Sequence, residues 1–92
     1  MTKKSPRIAV LGCGYWGKNL VRNFAELGVL TAICDDNKQT AKELSKKYKI
    51  PIQSWETILS NDTIDGVVIA TPAITHADLT IQALKAGKHV FV

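Results

Sequence analysis

Four apolar residues in a row, Ile8-Ala9-Val10-Leu11, open the patterned part of the chain. Such a run predicts a short strand covered on both faces. Apolar positions then recur at helical spacing in Trp16, Leu20, Phe24 and Leu27. They predict a first helix over 15–27 with that stripe inward and Gly28 as its C-cap. Val29 to Cys34 follows as the second strand. A second helix starts after the cap residues Asp36-Asn37, runs to about Lys47 and turns Ala41, Leu44 and Tyr48 inward. Pro51 stops it. Ile52 to Ser54 predicts a short third strand, Trp55 to Leu59 a helical turn, and Ser60-Asn61-Asp62 a loop. Gly66 to Ala70 predicts a fourth buried strand, ended by Thr71-Pro72. A last helix is expected over 74–86, with Ala77, Ile81 and Leu84 inward and Gly87 as cap. Lys88 to Val92 completes the pattern as a fifth strand.

Strand and helix alternate throughout, and the connections are short. The fold class is therefore α/β, a parallel sheet with helices on both faces. No internal repeat or low-complexity linker interrupts it. Ninety-two residues make one domain at most. Residues 7–92 are expected to form it, after a flexible lead over 1–6. The sequence ends inside a predicted strand, as a fragment truncated at its C-terminal side would.

The loop after the first strand carries Gly12-Cys13-Gly14-Tyr15-Trp16-Gly17, a G-x-G-x-x-G run between strand and helix. In a dinucleotide-binding unit the first glycine takes the tight turn. The second lets a pyrophosphate approach the backbone, and the third lets the helix pack closely on the strand. The helix N-terminus supplies unpaired N–H groups and a positive dipole end, which together form an anion site. Asp35 ends the second strand, 18 residues after Gly17. A carboxylate there accepts hydrogen bonds from the adenosine ribose hydroxyls and repels a 2′-phosphate, so NAD is favoured over NADP. Asp36 strengthens that bias. The competing reading makes the glycines turn residues and Asp35 a helix N-cap. The strand before, the helix after and the distant acid favour the dinucleotide reading. By analogy with that fold the sheet is doubly wound in the order 3-2-1-4-5. Its switch point lies between strands one and four, which puts Thr71, Pro72 and Ala73 beside the cofactor.

Charge changes little. The formal net charge is +4. Lys3, Lys4 and Arg7 cluster near the start, and Lys42, Lys46, Lys47 and Lys49 mark a solvated helix face rather than a nucleic-acid surface. Cys13 and Cys34 follow no metal spacing and form no disulfide framework, which suits a reducing, cytoplasmic setting. Cys13 is expected to be an inert turn residue. The longest aliphatic run is far too short to cross a membrane. The basic start followed by Ile8 to Cys13 only loosely mimics a lipoprotein signal. Trp55 is expected at the core or a helix edge, and His89 within a strand.

Three segments together, Ile8 to Gly17, Ala70-Thr71-Pro72 with His76, and Ala86 to Val92, resemble the glucose-fructose oxidoreductase, inositol dehydrogenase and rhizopine-catabolism (Gfo/Idh/MocA) family. The resemblance runs from Arg7 onward and implies a Rossmann N-terminal domain joined to a second α/β domain. It implies NAD(P)-linked oxidation or reduction of a sugar or cyclitol substrate. It also implies a Glu-Lys-Pro motif with a catalytic lysine just after the position of Val92, so no catalytic residue is assigned here. The stretch from Tyr15 to Phe24 is similar to members acting on nucleotide-linked sugars. The resemblance sets His76 on the nicotinamide side. The candidate cofactor contacts are thus Gly12, Cys13, Gly14, Tyr15, Trp16, Gly17, Asp35, Asp36, Thr71, Pro72 and His76. The remaining expectations are a homo-oligomer, a sugar-type substrate met through a second domain, and no nucleic-acid or membrane partner. A stand-alone NAD(H)-sensing module is the rival reading.

Overall fold

A computed structural model of the chain describes residues 6–92; Met1 to Ser5, most of the expected lead, lie outside the described residues. Strand β1 (Ile8–Leu11) is followed by helix α1 (Tyr15–Glu26), strand β2 (Leu30–Cys34) and helix α2 (Lys38–Tyr48). Then come helix α3 (Trp55–Ser60), strand β3 (Gly66–Ile69), a 3₁₀ turn (Ala73–Thr75), helix α4 (His76–Lys85) and strand β4 (His89–Phe91). The four strands form one parallel sheet in the order β2-β1-β3-β4.

Strand alternation divides the core into two layers. Ile8 and Val10 of β1 join Val21, Ile33, Ala41, Leu44 and Val68 under α1 and α2. Ala9 joins Ala32, Ile58, Val67, Ile69 and Ala83 on the other face, under α3 and α4. Successive side chains of a strand point to opposite faces, so a run such as Gly66–Ile69 must be apolar throughout to serve both layers.

The third strand expected at Ile52 to Ser54 is reduced to one bridge. Ile52 pairs in parallel with Ile33 on the outer side of β2, through Ile33 N–H to Pro51 O and Gln53 N–H to Ile33 O. Its place agrees with the expected order, and only its length is corrected. Ser54 cuts it short by capping α3, its side chain accepting the Thr57 N–H.

Two helices differ in part from their expected stripes. In α1, Leu20 and Phe24 pack against the core as expected, but Val21 is the apolar side chain fully buried there, and Trp16 and the C-cap residue Leu27 are each 71% exposed. Close approach at Gly17 sets this roll, and Gly17 and Val21 are four residues apart on one face. In α4, Ala83 is buried and Leu79 packs with it, while Ala77, Ile81 and Leu84 are exposed. Both rows are apolar, so periodicity alone does not choose between them. His76 does, because its Nε2–H donates to the Thr71 carbonyl at 2.6 Å. That bond turns His76 inward, and Thr80 and Ala83 follow it at helical spacing.

Helix α2 behaves as expected, with Asn37 as N-cap, Ala41 and Leu44 buried and Lys49 in the left-handed conformation at its end. Trp55 lies at a helix edge, its indole N–H donating to Gln82 of α4.

Candidate functional site

The glycine loop joins β1 to α1 at the C-terminal edge of the sheet. Gly12 has φ 93°, and a Cβ there would lie 2.9 Å from the backbone at Ala70 and Thr71. A Cβ on Gly17 would lie 2.0 Å from the Gly12 carbonyl oxygen. Side chains are thus excluded at the first and third glycines by the protein itself. A Cβ on Gly14 would meet nothing within 4 Å. The space beside the second glycine is open, as a pyrophosphate-binding turn requires. Gly14 is also the N-cap of α1. It offers no side chain to the helix N-terminus, and no acid occupies the first turn. The anion-binding end of the helix dipole is left for a ligand.

Asp35 is tied into this loop from the end of β2. Its Oδ2 accepts the backbone N–H of Cys13, and its Oδ1 accepts the backbone N–H of Asn37 at 2.6 Å. The carboxylate is therefore held against the glycine turn. Each oxygen retains a lone pair for a further donor. Asn37, not Asp35, is the N-cap of α2, which removes the competing account of Asp35. Asp36 follows and is exposed.

Gly12, Gly14, Trp16, Asp35, Asp36, Thr71 and Pro72 line one cleft of about 420 Å³. Seven of the eleven candidate contacts thus converge. Gly17 lies beneath it. The Cys13 side chain turns into the core with Val10 and Val21, leaving only its backbone N–H toward the site. Burial, then the Asp35 carboxylate, push the Cys13 thiol up to about 12. Burial and the neighbouring acids Asp36 and Asp35 also raise the Cys34 thiol. The Tyr15 side chain lies outside what the structure describes.

His76 faces a second cavity of about 380 Å³, shared with Trp16, Asn19, Asn23 and Thr71. A third, of about 600 Å³, opens on the opposite side past Leu11, Cys34, Asp36 and Trp55. The turn between them is braced by hydroxyl groups. Thr75 Oγ1 donates to Pro72 O, and the Thr71 and Thr75 hydroxyls lie 2.7 Å apart. Among the described residues no cluster of ligating side chains could hold a metal ion, and no helix is long and apolar enough to cross a membrane.

This arrangement, a glycine turn under a bare helix N-terminus with an acid held at the next strand end, is that of a dinucleotide-binding Rossmann domain. The chain belongs to the oxidoreductase family with an NAD-binding Rossmann fold (GFO_IDH_MocA), whose model matches residues 6–92. It is 35% identical over 101 residues to a glycosyl hydrolase family 109 protein of Solibacter usitatus, covering 94% of this chain and 23% of that protein. It is 35% identical over 94 residues to the NAD(+)-dependent scyllo-inositol 2-dehydrogenase of Bacillus subtilis, covering 94% of this chain and 27% of the enzyme. A 3-ketoreductase from Actinomadura kijaniata, solved with NADP and TDP-benzene, superposes with a TM-score of 0.82 at 27% identity. That match covers 95% of this chain and 28% of the other. The chain spans about a quarter of the length of these relatives.

Proposed function

We propose that this chain is the NAD-binding part of an oxidoreductase that moves hydride between a nicotinamide and a sugar, cyclitol or nucleotide-sugar substrate. In this reading Gly12 to Gly17 carry the pyrophosphate and Asp35 takes the adenosine ribose hydroxyls. Asp36 adds a second negative charge that disfavours a 2′-phosphate. Thr71 and Pro72 close the cleft from the β3 side. The bound nicotinamide supplies or accepts the hydride. Residues 7–92 bind cofactor without turning substrate over, and substrate contact is assigned to the further length that the relatives possess. The assembled protein is a homo-oligomer.

One observation carries the reading. The Asp35 carboxylate is fixed by the Cys13 and Asn37 N–H groups at the rim of the same cleft that begins at Gly12 and Gly14. Calorimetric titration of the 92-residue chain with NADH and NADPH tests it. Saturable NADH binding with weaker NADPH binding is expected. Failure of NADH to saturate a chain that melts cooperatively would refute it.

A further inference from the structure

The turn between β3 and α4 keeps its side-chain protons to itself. Thr75 Oγ1 lies 2.7 Å from the Pro72 carbonyl oxygen, which can only accept, so the Thr75 hydroxyl proton lies between them. The Thr71 and Thr75 hydroxyls are 2.7 Å apart, and each has a single proton to give. The Thr75 proton is spent on Pro72, so Thr71 is the donor of that pair. The His76 Nε2–H is likewise given to the Thr71 carbonyl.

This proton order reaches the cleft through Thr71. On the β3 wall Thr71 stands between Ala70 and Pro72 and carries the polar side chain. With its proton turned toward Thr75, its Oγ1 meets a ligand as an acceptor alone. Asp35 and Asp36 are acceptors as well, and they lie on the other side of β1, at the end of β2. The bare N-terminus of α1 stands between the two walls and supplies N–H donors. Acceptor, donor and acceptor thus follow one another across the cleft. That order suits a phosphate chain at the centre with hydroxyl groups on both sides. A further phosphate at the β3 wall would set its oxygen lone pairs against those of Thr71, whereas a sugar hydroxyl brings a proton.

We infer that Thr75 is a positioning residue for cofactor class. By accepting the Thr71 proton it makes the β3 wall accept only, so that the cleft favours a pyrophosphate followed by a sugar over a nucleoside triphosphate. The inference rests on the cofactor reading above and adds a residue that acts through Thr71. The glycine turn does not make this distinction, since backbone N–H groups at a helix N-terminus serve any phosphate chain.

Calorimetry of the 92-residue chain with ADP-ribose and with metal-free ATP tests it. The two ligands share ADP and differ in the group beyond it, a ribose or a third phosphate. The wild-type chain is expected to bind ADP-ribose at least about tenfold more tightly than ATP. Thr75→Val frees the Thr71 proton to turn toward the ligand. It is expected to cut that ratio about fivefold, with ATP binding more tightly than to the wild type. Thr75→Ser keeps the hydroxyl and should restore the ratio. Thr71→Val removes the acceptor and should weaken ADP-ribose without strengthening ATP. Circular-dichroism melts establish that each variant folds, and if Thr75→Val does not, the Thr71→Val chain decides. Equal losses for both ligands in Thr75→Val, an unchanged ratio in either valine variant, or a serine variant that behaves like valine would overturn the inference and leave the cofactor reading standing. Absence of saturation with both NADH and ADP-ribose, on a chain that melts cooperatively, would overturn the cofactor reading and the inference with it.

Discussion

Gly17 stacks directly on Gly12: a Cβ on Gly17 would stand 2.0 Å from the Gly12 carbonyl oxygen. Gly12 in turn presses on the backbone at Ala70 and Thr71. Two glycines thus bring the α1 N-terminus, the β1 turn and the end of β3 to one point. Gly17→Ala must push the helix away and is expected to cost about 1–3 kcal/mol. In a domain of this size each kcal/mol lowers the melting temperature by roughly 4–8 °C. Gly14→Ala meets no neighbour and should cost at most about 1 kcal/mol as a helix-cap change. It should nevertheless weaken NADH binding, because the added methyl occupies the open space. Paired thermal melts and NADH titrations separate the two. A Gly17→Ala chain that melts like wild type would contradict the packing described.

Asp35 has a structural and a recognition role, and one substitution reads both. Asp35→Ala removes the acceptor for the Cys13 and Asn37 N–H groups. Loss of these hydrogen bonds should lower stability by about 1–3 kcal/mol. The same change is expected to weaken NADH binding and to narrow the preference for NADH over NADPH. Denaturant titration and calorimetry with both cofactors check it. Unchanged selectivity would mean that Asp35 serves only to tie the loop.

Much of this site is legible in sequence because its chemistry needs particular backbones. Gly17 is a glycine because it packs on the nearby Gly12 carbonyl, Gly12 because it has a positive φ and abuts the end of β3, and an acid at the end of β2 lies at a fixed spacing from both. The roll of α4 is not legible, since Ala77-Ile81-Leu84 and Leu79-Ala83 are both apolar rows. The choice falls to the His76–Thr71 bond, a contact between a helix and the loop before it. The third strand is similarly undecided by pattern, because Ser54 serves as a helix cap in place of a strand residue.

Cys13 makes stability depend on alkaline pH. Its thiol is raised from the ordinary value of 9.0 to about 12 in the folded chain. Above pH 9 the unfolded chain loses this proton while the folded chain keeps it. The native state then binds more protons, so stability falls as pH rises, up to the folded value. The contribution is up to about 1.4 kcal/mol per pH unit in that window. Cys13→Ala removes it, so the wild-type chain should lose stability faster than the variant above pH 9. Denaturant titrations at several alkaline pH values measure the difference. Parallel pH profiles would show that the thiol environment is not as described.

Lys88 is a buried cation held by two backbone carbonyls. It is 7% exposed, and its Nζ donates to Asn61 O and Ile64 O, each at 2.7 Å. Those carbonyls belong to the connection between α3 and β3, so the lysine pins that loop beneath the start of β4. Lys88→Met keeps the aliphatic stem and removes the donors. Two carbonyls then lose their partner, with an expected cost of about 1–3 kcal/mol. A lowered urea midpoint with an unchanged slope would bear this out. An unchanged midpoint would mean that water replaces the ammonium without cost.

Among the described residues strand β4 hydrogen-bonds to β3 alone and ends the sheet order, so its outer backbone groups form an edge. Val90 packs against the second core layer, but Phe91 is 55% and Val92 70% exposed. An apolar edge of this kind invites pairing with a strand of another chain. The 92-residue chain is therefore expected to self-associate, with sedimentation coefficients that rise with concentration. Phe91→Lys places a charge on the edge and should shift the equilibrium toward monomer, since edge lysines oppose strand pairing. Phe91 is largely outside the core, so the variant should retain a cooperative melt and bind NADH as the wild type does. Strictly monomeric sedimentation of the wild-type chain over a wide concentration range would refute the prediction. Association that persists in the Phe91→Lys chain would move the contact elsewhere on the surface, with the exposed Ile74, Ile81 and Leu84 the next positions to substitute.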